Sequence, residues 1–244
     1  NLRSAVLTAL AAVGSASSLS VNSTLLTSST RIYQTTFKSG EWTGDVKSFS
    51  LTGSGLINPT PQWSAQSLLD SVVPNNRKIF TLGVANAGIP FRWANLVDAS
   101  AATVSVPDQQ QMMRTRWSTN IVENVSFGQQ QLNYIRGLDD DAIFRDRPHV
   151  LGDIVHSEAT FVAEPKSLYF DLEGDYAAFR TSHIGRTPTV YVGANDGMLH
   201  AFDASTGANK GKELFAYIPS MLIPKLNSLT HKESITQSFA HKYF

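Results

Sequence analysis

The alternation of apolar and polar positions is clearest toward the C-terminal end of the chain. Val190, Val192 and Ala194 alternate with Tyr191 and Gly193, the period of a strand with one buried face. Asn195-Asp196-Gly197 interrupts that run, and because these residue types tolerate positive φ the stretch predicts a hairpin turn. Met198 to Phe202 predicts the returning strand. Asp203-Ala204-Ser205-Thr206-Gly207 closes it, with a side-chain acceptor at its start and a glycine suited to a left-handed position at its end. Glu213 to Ile218 predicts a third strand, stopped by Pro219. Asn195, Asp196, Gly197, Asp203, Thr206 and Gly207 are therefore expected to be structural turn residues. A lone three-stranded meander exposes an apolar face, so it must lie against similar sheets, as in a propeller or a sandwich.

Upstream the pattern is weaker. Residues 31–37 and 45–51 read as a hairpin around Lys38-Ser39-Gly40, anchored by Tyr33 and Trp42. Residues 63–69 predict a short helix capped by Ser64, and residues 77–82 a strand. Helices are expected over 107–117 and 122–136; in the second, Val125, Leu132 and Ile135 are apolar and Gly128 costs roughly 1 kcal/mol relative to Ala. Residues 150–162 read as a strand region broken early by Gly152, and 239–244 as another strand. Residues 2–13 predict an amphipathic helix with Leu2, Val6, Ala9, Leu10 and Val13 on one face. Residues 14–30 are rich in Ser and Thr, whose hydroxyls compete for backbone hydrogen bonds, and read as a linker.

The closing turn carries a resemblance. Ala201-Phe202-Asp203-Ala204-Ser205-Thr206-Gly207 is similar to the A-x-D-x-x-T-G repeat of quinoprotein-type propellers, in which a Trp follows and docks on the neighbouring blade; here Phe215 stands in the comparable place. The longer string RTPTVYVGANDGMLHAFDASTG, with LGDIVHS at 151–157, FAYIPSMLIPKL at 215–226 and AHKYF at 240–244, resembles the C-terminal β-propeller of the PilC/PilY family of type IV pilus tip-associated adhesin and biogenesis proteins. The likeness is densest over 134–244 and recognisable from about residue 21.

That resemblance implies a mainly β fold: a partial, modified, quinoprotein-like β-propeller over 31–244, with helical insertions between blades. Residues 1–13 would be the terminal helix of a preceding von Willebrand A-like domain. Seven blades of 40–45 residues need roughly 300 residues, and no self-similarity at that period is detectable, so an incomplete propeller is expected. The implied function is non-enzymatic: supporting pilus assembly by opposing retraction, together with adhesion, surface sensing and twitching motility. The implied location is extracellular, on the bacterial surface at the pilus tip or outer membrane. Minor pilins of the pilus tip complex and a host-cell or surface ligand would be the partners, met by insertions such as 53–76 and 98–130. No cofactor is expected in this segment; calcium in the full-length protein is a family implication, with ligands beyond Phe244. The alternatives are a quinoprotein-dehydrogenase-like propeller enzyme and a surface binding scaffold unrelated to pili.

Composition narrows this further. Among 244 residues, 20 Lys and Arg balance 20 Asp and Glu. Without a basic stripe to replace phosphate counterions, nucleic acid is not expected as a partner. There is no Cys, hence no disulfide, no thiolate metal site and no vicinal pair beneath a quinone. The apolar run at 2–13 is too short to span a bilayer, so no membrane span is expected.

Candidate chemistry is sparse. Asp139-Asp140-Asp141 invites calcium, but Ile143, Phe144 and Val150 stand where an EF-hand-type loop needs a ligand, Gly and Glu. A solvated acidic turn balanced by Arg136, Arg145 and Arg147 is expected instead. Arg136-Gly137-Leu138 lacks the carboxylate of the integrin-binding tripeptide. Asp153, His156, Asp196 and His200 could form a metal or acid-base group, although nothing in their spacing requires it, and turn-capping roles are expected.

Overall fold

The computed structural model describes residues 16–21, 30–38, 41–99, 107–117, 119–139, 142–165 and 175–231. The helix expected over 1–13 and the strand expected over 239–244 lie outside these.

Four strands form an antiparallel sheet in sequence order: β1 (Ala16–Val21), β2 (Arg31–Lys38), β3 (Thr43–Ser50) and the short β4 (Trp63–Ser64). The expected hairpin is β2 and β3, paired from Arg31↔Ser50 to Lys38↔Thr43. Its anchor differs from expectation. Tyr33 is fully buried, but its aromatic partners are Trp63, at 5.9 Å between centroids, and Phe161, stacked at 5.6 Å. Trp42 takes the positive φ of the tight turn (53°) and is only half-buried. β1 falls inside the stretch read as a Ser/Thr linker. That stretch is extended, as its composition suggests, yet residues 16–21 pair with β2 and the Ser18 hydroxyl meets that of Thr35 at 2.8 Å.

A six-stranded sheet contains β5 (Ile79–Leu82), β6 (Gly88–Pro90), β7 (Thr160–Val162), β8 (Thr189–Ala194), β9 (Met198–Asp203) and β10 (Glu213–Tyr217), in spatial order β6-β5-β10-β9-β8-β7. The predicted meander is its centre, β8-β9-β10. β5 joins β10 in parallel, Ile79 opposite Ala216, so the two halves of this sheet come from segments distant in sequence.

Helices fill the intervals, as expected of insertions: α1 (Ala65–Asp70), α2 (Gln109–Arg114), α3 (Val125–Ile135) and α4 (Asp175–Ser182). Ser64, Asp108 and Asn124 cap the first three, each side chain accepting a backbone N–H of the first turn. Gly128 has a packing reason: a Cβ there would lie 2.7 Å from the Trp93 ring and from Arg114 Cγ.

Two cores result. One lies between the two sheets and includes Tyr33, Val46, Trp63, Leu151, Val190 and Phe202. The other lies on the opposite side of the meander, where Met113, Phe127, Leu132 and Phe144 pack with Ile79, Ile218 and the 3-10 turns of Ser220–Thr230. Both depend on how the residues between them are fastened.

Candidate functional site

The stretch expected to be a strand over 150–162 is one only at β7. Residues 150–154 instead thread between the two sheets as a seam. A Cβ on Gly44 would collide with the carbonyl oxygen of Gly152, and a Cβ on Gly152 would meet Asp196 N at 2.5 Å. Three backbones therefore stack in contact: β3, the seam, and the β8–β9 turn. Hydrogen bonds follow the same path. Gly44 N donates to Leu151 O at 3.2 Å, Gly152 N to Asp196 Oδ2 at 3.1 Å, and Asn195 N to Asp153 O at 2.9 Å. The Asn195 amide also donates to Asp153 Oδ2 at 2.7 Å. Long-range pairing of this kind leaves no periodic signature, which is why alternation misjudged the segment.

From Asp196 a buried chain of charges runs beneath the meander. His200 Nε2 lies 3.0 Å from Asp196 Oδ2 and its Nδ1 lies 2.9 Å from Glu213 Oε1. Arg77 grips Glu213 with both sides of its guanidinium, Nε to Oε2 at 2.8 Å and Nη2 to Oε1 at 2.7 Å. Its remaining nitrogen, Nη1, donates to the carbonyl of Arg136 at 2.8 Å, and the Arg136 guanidinium donates in turn to the carbonyls of Phe91, Pro74 and Arg77. The chain thus ties β9 and β10 to the approach to β5 and to the C-terminal end of α3.

Electrostatics fix the protonation states. Burial alone would lower the His200 pKa, but the charges and hydrogen bonds of Asp196 and Glu213 raise it to about 9. Burial alone would raise that of Glu213; Arg77 and His200 bring it down to about 2. Asp196 is likewise held low by His200 against its burial. Burial and the neighbouring guanidiniums of Arg92 and Arg77 lower Arg136 to about 10, still charged at neutral pH. With a carboxylate on each ring nitrogen, His200 is an imidazolium. It has no lone pair for a metal and cannot accept a proton as a base.

Of the four residues that could have formed a chemical group, Asp153, Asp196 and His200 are brought together by the seam, whereas His156 is exposed. Sequence reasoning missed Arg77, Glu213 and Arg136; Glu213 at the head of a predicted strand was the one legible hint. The turn after β9 follows the expected chemistry only in part. Asp203 Oδ1 accepts Ser205 N at 2.7 Å, but the left-handed glycine is Gly211 (φ 76°), not Gly207, because the connection runs on to residue 211 before turning back. The Cβ missing from Gly211 would lie 2.8 Å from the Trp63 ring, so an indole from β4 docks on this turn. Phe215 sits elsewhere, edge-on to Phe80 and Tyr191.

The arginines near Asp139 are not its counterbalance as a set. Arg136 is buried on backbone carbonyls, and Arg147 lies over the Tyr134 ring at 4.0 Å, although it does feel the Asp139 charge. Asp140 and Asp141 lie outside the described residues. No helix among the described residues is long and apolar enough to cross a membrane.

Part of the seam and of the charge chain, namely Leu151 to Ile154, Asp196, His200 and Glu213, lies within the residues that match a family model. Residues 151–240 match the family model of the PilY1 beta-propeller domain. The chain is 37% identical over 226 residues to the type IV pilus biogenesis factor PilY1 of Pseudomonas aeruginosa strain UCBPP-PA14, an alignment covering 87% of this chain and 18% of that protein. It is 33% identical over 242 residues to a PilY1 homolog of Xylella fastidiosa strain Temecula1, covering 95% of this chain and 17% of the relative. The chain therefore spans less than a fifth of the length of these curated relatives. No solved structure matches it.

Proposed function

The chain belongs to the PilY1 beta-propeller family through residues 151–240, and on that premise we propose that the protein containing it acts in type IV pilus biogenesis. Its part is to be a rigid β scaffold within a larger tip-associated protein. The scaffold favours assembly by opposing retraction, and its loops meet minor pilins and an adhesion or surface-sensing ligand outside the cell. Calcium, if used, is bound elsewhere in the full-length protein.

The observation that supports this reading best is the coincidence of the family match with the fastening of the fold. Leu151 to Ile154, the β8–β9 turn, His200 and Glu213 all fall within 151–240, and together they lock two sheets and a helical layer around one buried charge chain. Such rigidity suits a part that presents loops and bears load, since linked buried pairs leave little room for alternative packing.

A domain exchange tests the reading. This region, substituted for the matching region of the Pseudomonas aeruginosa relative in cells lacking their own copy, is expected to restore surface pili and twitching. Stable chimera on the cell surface without pili would refute the assignment.

A further inference from the structure

The six-stranded sheet is apolar on both faces. Strand pairing sets Val192, His200, Ala216 and Ile79 side by side across β8, β9, β10 and β5, and all four are buried. The rows on either side of them turn to the other face: Tyr191 and Phe215 flanking Ala201 in one, Leu199, Tyr217 and Phe80 in the other. Phe215 stands edge-on to Phe80 at 6.4 Å and to Tyr191 at 6.3 Å, so the two rows join into one aromatic surface. Phe80 and Leu199 remain 39% and 40% exposed, and the three other large side chains are half-buried. We propose that this second face is the seat of a further β-sheet of the same full-length polypeptide, packed on Tyr191, Phe215, Leu199, Tyr217 and Phe80. The inference rests on family membership and not on the pilus role proposed above.

The composition of the face excludes water as its permanent neighbour. An antiparallel sheet with one solvated face alternates apolar with polar side chains. Here the alternate positions are aromatic, aliphatic or uncharged. Among the described residues of the six strands, Asp203 is the one charged side chain turned to this face, and it is itself buried, accepting Ser205 N at 2.7 Å. A contiguous apolar surface of this kind marks a contact.

The choice of occupant follows from the first face and from the family. The first face already carries a sheet: Val190, Val192 and Phe202 share a core with Tyr33, Val46 and Trp63 of the four-stranded sheet. The family domain is a beta-propeller, an architecture that repeats sheets radially around a channel. The aligned part is only 17–18% of the curated relatives, which leaves most of their length for such repeats. Two sheets stacked face to face interdigitate their side chains across about 10 Å. The incoming sheet therefore presents small and aliphatic residues to the aromatic rows, since this face offers no charge to pair with a charged one. The six-stranded sheet becomes an inner layer, and partners of the protein meet its loops rather than its face.

The test places probes on the face in the full-length protein. Residues 1–244 contain no Cys, so Leu199→Cys and Phe80→Cys each add one thiol to this region, located by mass spectrometry of its peptide. N-ethylmaleimide is expected to modify either thiol about a hundredfold more slowly in the native protein than in urea, as for groups reached only by local opening. Reaction close to the unfolded rate would show an open face and overturn the inference. Protection that disappears on dilution, in step with dissociation seen by sedimentation, would assign the face to a second copy and overturn it equally. Benzoylphenylalanine in place of Leu199 identifies the occupant: irradiation is expected to give an intramolecular crosslink to a residue outside 1–244. A crosslink confined to residues 1–244 would contradict the proposal. An open face leaves the pilus role untouched, because that role rests on the family match alone.

Discussion

His200 shows most directly how single residues hold this molecule together. Its pKa of about 9 in the fold lies above its ordinary 6.5, so its contribution to stability is full below pH 6.5 and is lost as pH rises through about 9. For Glu213 the shift is opposite, from 4.5 down to about 2, so its contribution is full above pH 4.5 and is lost as pH falls through about 2. The charge chain is thus at full strength between pH 4.5 and 6.5. Melting temperature is expected to fall from pH 6.5 to 9 in the wild type, and His200→Gln should flatten that alkaline decline. The variant should also be less stable at pH 6, on the order of 3–5 kcal/mol, because Asp196 and Glu213 stay buried with one partner gone. An alkaline slope unchanged in His200→Gln would mean that other groups govern the pH response. None of this was legible locally: Arg77 and Glu213 lie 136 positions apart, and an arginine before a strand looks like any solvated cation until the fold buries it.

At the scale of elements, legibility followed the range of the forces involved. The β8-β9-β10 meander was readable because alternation, an Asn-Asp-Gly turn and a terminating Pro act within a few residues of one another. The Ser64 cap of α1 was readable for the same reason, whereas Asn124, which caps α3, was not read as a cap because the helix was expected to begin two residues before it. The seam at 150–154 was not readable, because its conformation is dictated by Gly44 and Asp196 rather than by its own neighbours. The end of the β9 turn was misjudged at Gly207 because the glycine that matters, Gly211, is identified by the Trp63 ring lying against it. Gly128 makes the point quantitatively. By helix propensity alone Gly128→Ala should gain about 1 kcal/mol. With Trp93 and Arg114 each 2.7 Å from the added Cβ, we expect a net loss of stability on the order of 1–3 kcal/mol, as for overpacking generally. Chemical denaturation should show the loss, and Trp93→Ala should reduce the effect of the added methyl. A stabilised Gly128→Ala would show that α3 and the Trp93 turn do not pack this closely.

At the scale of the whole molecule, two sheets and a helical layer meet along one seam, and the family match covers two of its three backbones, Leu151 to Ile154 and the β8–β9 turn. Family membership was legible through separated motifs in a fixed order; the reason those motifs occur together was not, since it lies in backbone contacts between LGD at 151–153 and the β8–β9 turn. The role proposed for this region is to support type IV pili by opposing their retraction. The most direct measurement is a count of surface pili in its host after in-frame deletion of the region encoding residues 151–240, made in a wild-type and in a retraction-deficient background. Few or no pili are expected in the first and substantial recovery in the second. Normal piliation in the first, with the deleted protein verified, would contradict it.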